Sequence, residues 1–325
     1  MRRVTTGQGI QQYCKDNGIP NQVTTLDAIT IQYDGVDRDI PPPILHLLTP
    51  PGGGKNDTGP TLVYFHGGGY VNPLRAAAHM PLIMRCAAAC RAKQVIVLEY
   101  ALAPEHPYPA QFVQAVATLR HLIQGMELRP EDMILAGDSA GGQLVGALLA
   151  HLVRPSPYAP ELTVDGKFKA ALFISPFVRV PSEGLGSYES NHGKDYLNRV
   201  LVDGFGAAWK ANEDEIWASL CGGDGAAEIW ARVFARRHNG LVGKVMVTAG
   251  TAEIFLGCCR AFANDHVHAE TVIITKKTDL SVLEGKDFVL AECEGEVHVQ
   301  AALDSAVRYD GGTMKLAIAS WLASV

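Results

Sequence analysis

The stretch Ile134-Leu135-Ala136-Gly137-Asp138-Ser139-Ala140-Gly141-Gly142-Gln143-Leu144 decides how this chain reads. It enters as an apolar run, turns through small residues, and leaves as Gln143 to Ala150, a Leu/Val/Ala pattern that predicts a buried helix. Gly137-x-Ser139-x-Gly141 between a strand and a helix is the pattern of a nucleophile elbow. The turn is so sharp that the residues two before and two after the serine must be small. The serine is thereby held clear of the sheet, at the start of a helix whose amide dipoles favour negative charge.

Outward from the elbow, strands and helices alternate. Thr61 to Phe65, Gln94 to Tyr100, Glu131 to Ala136, Ala170 to Ile174 and Lys244 to Gly250 are apolar runs, as expected of strands buried on both faces. Thr271 to Thr275 and Phe288 to Ala291 are further strand candidates. Helices are predicted over about 5–18, 76–92, 112–124, 255–264 and 313–322. Near the start, Leu26 to Tyr33 and Ile44 to Leu48 read as strands joined by a turn at Asp34 to Arg38, and Thr49 to Pro60 reads as loop. Such alternation predicts a mostly parallel sheet flanked by helices. Ligands then sit outside the carboxyl ends of the strands. Gly67 to Gly69, Ser139, Glu253 and His298 all follow apolar strands, so they converge on one edge.

Between Val178 and about Gly240 the alternation breaks down. Amphipathic pieces at Tyr196 to Lys210, Asp214 to Leu220 and Ala226 to Arg237 read as helices of an insertion. It carries Trp209, Trp217 and Trp230, three of the four tryptophans, with Tyr188, Tyr196 and Phe205. These aromatics either cover an apolar substrate or anchor the insertion to the main body.

A chain of 325 residues can bury a large core, and 47% hydrophobic with 19% charged residues fits a soluble globular protein. The net charge of −6 and the lack of a Lys/Arg run argue against nucleic acid and anionic membranes as partners. The seven cysteines have no disulfide or zinc spacing and read as small buried apolar residues. Met1-Arg2-Arg3 leads into a polar stretch rather than a signal peptide, and no run reaches membrane-spanning length. The expected location is the reducing cytoplasm.

A serine hydroxyl needs a base to become a nucleophile, usually histidine, and the imidazole needs a carboxylate to fix its tautomer. In sheets carrying this elbow the chain order is Ser, then Asp/Glu, then His. The histidines after Ser139 are His151, His192, His238, His266, His268 and His298, and only His298 follows a late strand. Glu253 lies one loop past the Val245 to Ala249 strand; Asp265, Asp279 and Asp287 compete from helix-end or loop positions that read as solvated surface.

Three motifs carry a resemblance: His66-Gly67-Gly68-Gly69, Tyr100-x-Leu102-Ala103-Pro104-Glu105-x-x-Tyr108-Pro109-Ala110, and Gly137-Asp138-Ser139-Ala140-Gly141-Gly142. Together they resemble the hormone-sensitive-lipase-like branch of the α/β-hydrolase fold, in its GDSAG subgroup, which includes microbial carboxylesterases and arylacetamide deacetylase. The resemblance implies Ser139 as nucleophile, His298 as base, and Glu253 as acid in Gly250-Thr251-Ala252-Glu253-Ile254-Phe255, where the family carries Asp. It also implies an oxyanion hole from the backbone N–H groups of Gly68, Gly69 and Ala140, with His66 and His106 structural. Gly257 stands where the family often has Asp, Val299 replaces the usual Phe, and Lys276 to Lys286 lengthens the connection to His298.

The expectation is one α/β-hydrolase domain over 1–325, with a helical cap formed by about 1–22 and 178–240. The expected activity is a serine carboxylester hydrolase that needs no cofactor or metal and acts through an acyl-enzyme on small to medium uncharged esters. A homodimer is compatible with this. Two other readings use the same pocket: a deacetylase, lactonase, acyltransferase or cyclase on a specialised metabolite, or a receptor that binds without catalysis. The presence of His298 weighs against the receptor.

Overall fold

The apolar runs flanking the elbow become the centre of one sheet. In the computed structural model, which describes residues 4–53, 58–178, 186–222, 225–236 and 240–325, the strands are β1 (Asn21–Thr25), β2 (Ile29–Tyr33), β3 (Val36–Ile40), β4 (Ile44–Leu48), β5 (Thr61–Phe65), β6 (Gln94–Glu99), β7 (Met133–Asp138), β8 (Phe168–Ile174), β9 (Val242–Gly250), β10 (Glu270–Ile274) and β11 (Phe288–Cys293). Nine of them form a sheet in the order β1-β4-β6-β5-β7-β8-β9-β11-β10. From β6 to β10 every neighbouring pair is parallel, and β4 and β1 extend the other edge antiparallel.

Side-chain alternation splits the interior into two cores. Val63, Phe65, Leu135, Phe173 and Val247 face one, under the helices Ala110–Arg120, Ala140–Val153 and Ala226–Val233. Leu62, Tyr64, Ile134, Leu172 and Met246 face the other, under Thr6–Asn17, Ala76–Ala89, Gln300–Ala306 and Thr313–Leu322. Both faces are therefore covered, which is why these strands read as continuous apolar runs instead of alternating ones.

Three local expectations are corrected. The Asp34 turn does not join a strand to Ile44–Leu48: Asp34 and Gly35, both at positive φ, close a separate β2–β3 hairpin. Such a turn matches the twist of a two-residue hairpin. Asp214 to Leu220 forms turns and not a helix, because the segment is tied down by its side chains. Glu215 accepts from Tyr108 and Tyr158, each at 2.6 Å, and Trp217 Nε1 donates to Arg154 O at 3.2 Å. The helix expected over 255–264 is α-helical only for Leu256–Ala261 and widens into a π-turn over Phe262–Val267. Arg237, at the end of an expected helix, and His238 lie outside the described residues. All seven cysteines remain thiols, and six are buried.

Candidate active site

The elbow is built as its spacing requires. Ser139 has φ 51° and ψ −119°, outside the ordinary regions, a conformation that costs on the order of 1–3 kcal/mol. A Cβ on Gly137 would fall on the Gly141 backbone, and one on Gly141 would fall on the Phe65 carbonyl. The strain is held by Ser139 N donating to Ile174 O at 2.9 Å, with Ser139 O accepting from Gln143 N and Phe177 N, each at 3.0 Å.

His298 Nε2 lies 2.9 Å from Ser139 Oγ. His298 sits past the end of β11, whereas Ser139 sits past the end of β7, so strand order brings the two to the same edge of the sheet. Burial lowers the His298 pKa to about 4, against the opposing pull of Asp195 and Asp138. The imidazole is therefore neutral at neutral pH and free to take a proton. Of the competing histidines, His151 is occupied by Pro160 O and Ser156 N, His268 by Asn264 O, and His192 is exposed. His266 makes tilted ring contacts with Trp230 and Phe262.

Glu253 is fully buried past the end of β9, but its partners are not the imidazole. Ser175 Oγ donates to Oε2 at 2.6 Å, Gly250 N donates at 3.0 Å, and the Cys259 thiol faces Oε1 at 3.5 Å. Ser175 Oγ in turn accepts from Val299 N at 3.1 Å. Glu253 thus reaches the loop carrying His298 through Ser175, and His298 Nδ1 is buried without a hydrogen-bond partner among the described residues. Burial raises the Glu253 pKa to about 8, and neighbouring Asp195 pushes the same way. Asp265, Asp279 and Asp287 are all exposed.

The glycine loop faces this pair. Gly68 and Gly69, both at positive φ, and Ala140 line the same cavity as Ser139 and His298. Behind the loop, Asp138 Oδ1 accepts from Gly67 N at 3.0 Å and from Tyr64 Oη at 2.8 Å, while His79 Nε2 lies 3.3 Å from Oδ2. A Cβ on Gly67 would collide with that carboxylate. Burial opposes charge on both partners, yet the Asp138 pKa is lowered and the His79 pKa raised, because each faces the other's opposite charge. His66 stacks on Tyr100 and bonds Gly67 O at 2.7 Å, and His106 is half-buried at the loop before the helix Ala110–Arg120.

The cavity holds about 540 Å³ and is walled largely by apolar and aromatic side chains, among them Tyr70, Phe177, Leu197, Phe205, Trp209 and Phe255. The aromatics of the inserted segment fall into two groups. Trp209 lines the cavity while its Nε1 donates to Gln111 Oε1 at 3.2 Å, and Trp230 is buried as an anchor with Nε1 on Leu220 O at 2.6 Å. Ser175, Asp195 and His79 carried no sequence signal. Only Ser175 could have been suspected, as the first residue past a strand on the active edge.

The fold and the arrangement at the strand ends are those of an α/β hydrolase. The chain belongs to that family: the model described as alpha/beta hydrolase fold matches residues 62–289. The carboxylesterase NlhH of Mycobacterium tuberculosis is 32% identical over 187 residues, 57% of this chain and 53% of that protein. Arylacetamide deacetylase of Mus musculus is 33% identical over 134 residues, 39% of this chain and 33% of that protein. The resemblance to the hormone-sensitive-lipase-like branch is thereby borne out. The chain spans about half the length of NlhH and a third of the deacetylase. Among solved structures, carboxyl esterase 2 of Tuber melanosporum superposes with a TM-score of 0.68 at 17% identity, covering 94% of this chain and 86% of that one. A thermostable esterase from Pseudomonas putida gives 0.69 at 17%, covering 98% and 88%. Among the described residues, no helix is long and apolar enough to cross a membrane.

Proposed function

We propose that this protein is a serine carboxylester hydrolase working through an acyl-enzyme. The observation that carries the reading is the 2.9 Å approach of His298 Nε2 to Ser139 Oγ at the floor of an apolar cavity. Ser139 Oγ attacks the ester carbonyl as its proton passes to His298 Nε2. The backbone N–H groups of Gly68, Gly69 and Ala140 take up the charge developing on the carbonyl oxygen. Loss of one such donor costs about a hundredfold or more in rate. As the intermediate collapses, the proton on His298 goes to the leaving alcohol. A water then gives its proton to His298 and attacks the acyl carbonyl, and the acid is released as His298 returns that proton to Ser139 Oγ. Glu253 holds the base loop through Ser175.

The cap is assigned to residues 1–22 and 178–240, of which 1–3, 179–185, 223–224 and 237–239 lie outside the described residues. Val4 and Gly9 at one end, and Tyr196 to Trp209 at the other, line the cavity and support this assignment. An apolar cavity of about 540 Å³ suits small to medium uncharged esters. A p-nitrophenyl ester chain-length series tests the reading with wild type and Ser139→Ala side by side. Turnover is expected for short and medium chains and should vanish in Ser139→Ala. Turnover surviving in Ser139→Ala refutes the nucleophile, and none in wild type favours a binding protein.

A further inference from the structure

The imidazolium formed during each step needs a negative charge beside it, and Glu253 is bonded elsewhere. Asp195 stands at the junction instead. It lies in the segment that leads into the helix Arg199–Trp209, and it is buried. Its Oδ1 accepts from His298 N and from Leu197 N, each at 3.3 Å, and its Oδ2 accepts from Ile254 N at 3.0 Å. One carboxylate thus clasps the base loop, the loop carrying Glu253, and its own segment. Three amide dipoles converge on it.

We propose that Asp195, supplied by the inserted segment and not by the sheet, is the positioning residue that holds His298 and provides the charge that steadies its imidazolium. This rests on the serine hydrolase reading. The other titratable groups around His298 are already committed. Asp138 is paired with His79, Glu296 faces away onto Thr313 and Met314, and Arg75 lines the cavity wall. Tyr196, whose ring centroid lies 6.1 Å from that of His298, is a phenol with a raised pKa and so neutral at neutral pH. Glu253 is turned into Ser175, Gly250 and Cys259, and its raised pKa of about 8 leaves it uncharged through neutral pH. Two carboxylates sharing one site do not both ionise readily. The division of labour follows from the contacts: Glu253 holds Ser175, which holds Val299 N, whereas the Asp195 carboxylate sits directly on His298 N.

The test is the pH profile of kcat/KM for p-nitrophenyl acetate in wild type, Asp195→Asn and Glu253→Gln. A negative charge beside an imidazole raises its pKa. Its removal in Asp195→Asn should therefore move the acid limb to lower pH by about one unit or more, together with a loss of about tenfold or more in kcat/KM. Glu253→Gln should leave the limb where wild type has it. A merely structural Asp195 would lower the rate without moving the limb, and that result overturns the proposal. If Asp195→Asn does not fold, Glu253→Gln decides alone: an acid limb displaced downward there assigns the charge to Glu253 and refutes Asp195. Ser139→Ala keeps the two failures apart. Turnover surviving in it defeats the hydrolase reading, whereas an inactive Ser139→Ala with an unmoved Asp195→Asn limb defeats only this inference.

Discussion

Replacing Glu253 by Gln should make the protein more stable at alkaline pH and not at acid pH. Glu253 is fully buried, and burial lifts its pKa from an ordinary 4.5 to about 8, with Asp195 adding to the lift. Between those values the folded protein holds a proton that the unfolded chain has released, so stability falls as pH rises. At about 1.4 kcal/mol for each pH unit, the gap amounts to about 5 kcal/mol. The glutamine side chain of the variant has no proton to lose. Its amide oxygen can take the place of Oε2 and keep the bonds from Ser175 and Gly250, while its NH₂ faces the Cys259 sulfur. Urea unfolding of both proteins across the range gives the stability difference. That difference should grow in favour of Glu253→Gln by about 5 kcal/mol between about pH 4 and about pH 9, most of it between about pH 5 and about pH 8, then level off. Titration of the Asp138–His79 pair is common to both proteins and cancels. A difference that stays flat with pH would refute the reasoning, because it would mean that Glu253 is already ionised in the folded state.

Two further substitutions probe the walls of the site. Asp138→Asn leaves His79 buried without its counter-charge and, with its amide oxygen kept on the donors Tyr64 and Gly67, turns an NH₂ toward His79 Nε2. It should lose about 3–5 kcal/mol in urea unfolding, and a loss below about 1 kcal/mol would show that the pair is not charged. Phe205 packs on Gly69, so closely that a Cβ there would strike its ring. Phe205→Ala should open room for longer acyl chains. Each added buried CH₂ is worth about 0.8 kcal/mol, about fourfold in kcat/KM, and an unchanged chain-length optimum would place the acyl group elsewhere.

The elbow, the glycine loop and the central strands were legible because backbone constraint wrote them into residue type. Gly137 and Gly141 admit no side chain, and strands covered on both faces must be apolar along their whole length. β1 left no such mark: Asn21-Gln22-Val23-Thr24-Thr25 is an edge strand paired only with β4, so polar side chains are tolerated there. β3 hides in the same way behind Asp37, Arg38 and Asp39. Asp214 to Leu220 has helical spacing, yet Glu215 and Trp217 are drawn to partners more than fifty residues away, which overrides local preference. Ser139 and His298 could be paired by the order of strands. The surroundings of His298 could not, because Asp195 comes from a segment with no sheet register to place it.

That dependence is visible in the backbone beside the base. Val299 has φ 49° and ψ 39°, a left-handed conformation that a β-branched residue adopts at a cost of on the order of 1–3 kcal/mol. Nothing in the sequence of the loop favours it. The conformation persists because consecutive amides are held from outside the loop, His298 N by Asp195 and Val299 N by Ser175. The Val299 side chain is also buried against the helix-covered core. Without the strained residue, the chain leaving β11 would enter the helix Gln300–Ala306 along a different path, and the imidazole would not be aimed at Ser139. The aim of the base is therefore set jointly by the end of β8 and by the inserted segment. A loosened segment around Asp195 would slow the chemistry even with Ser139, His298 and Glu253 all intact.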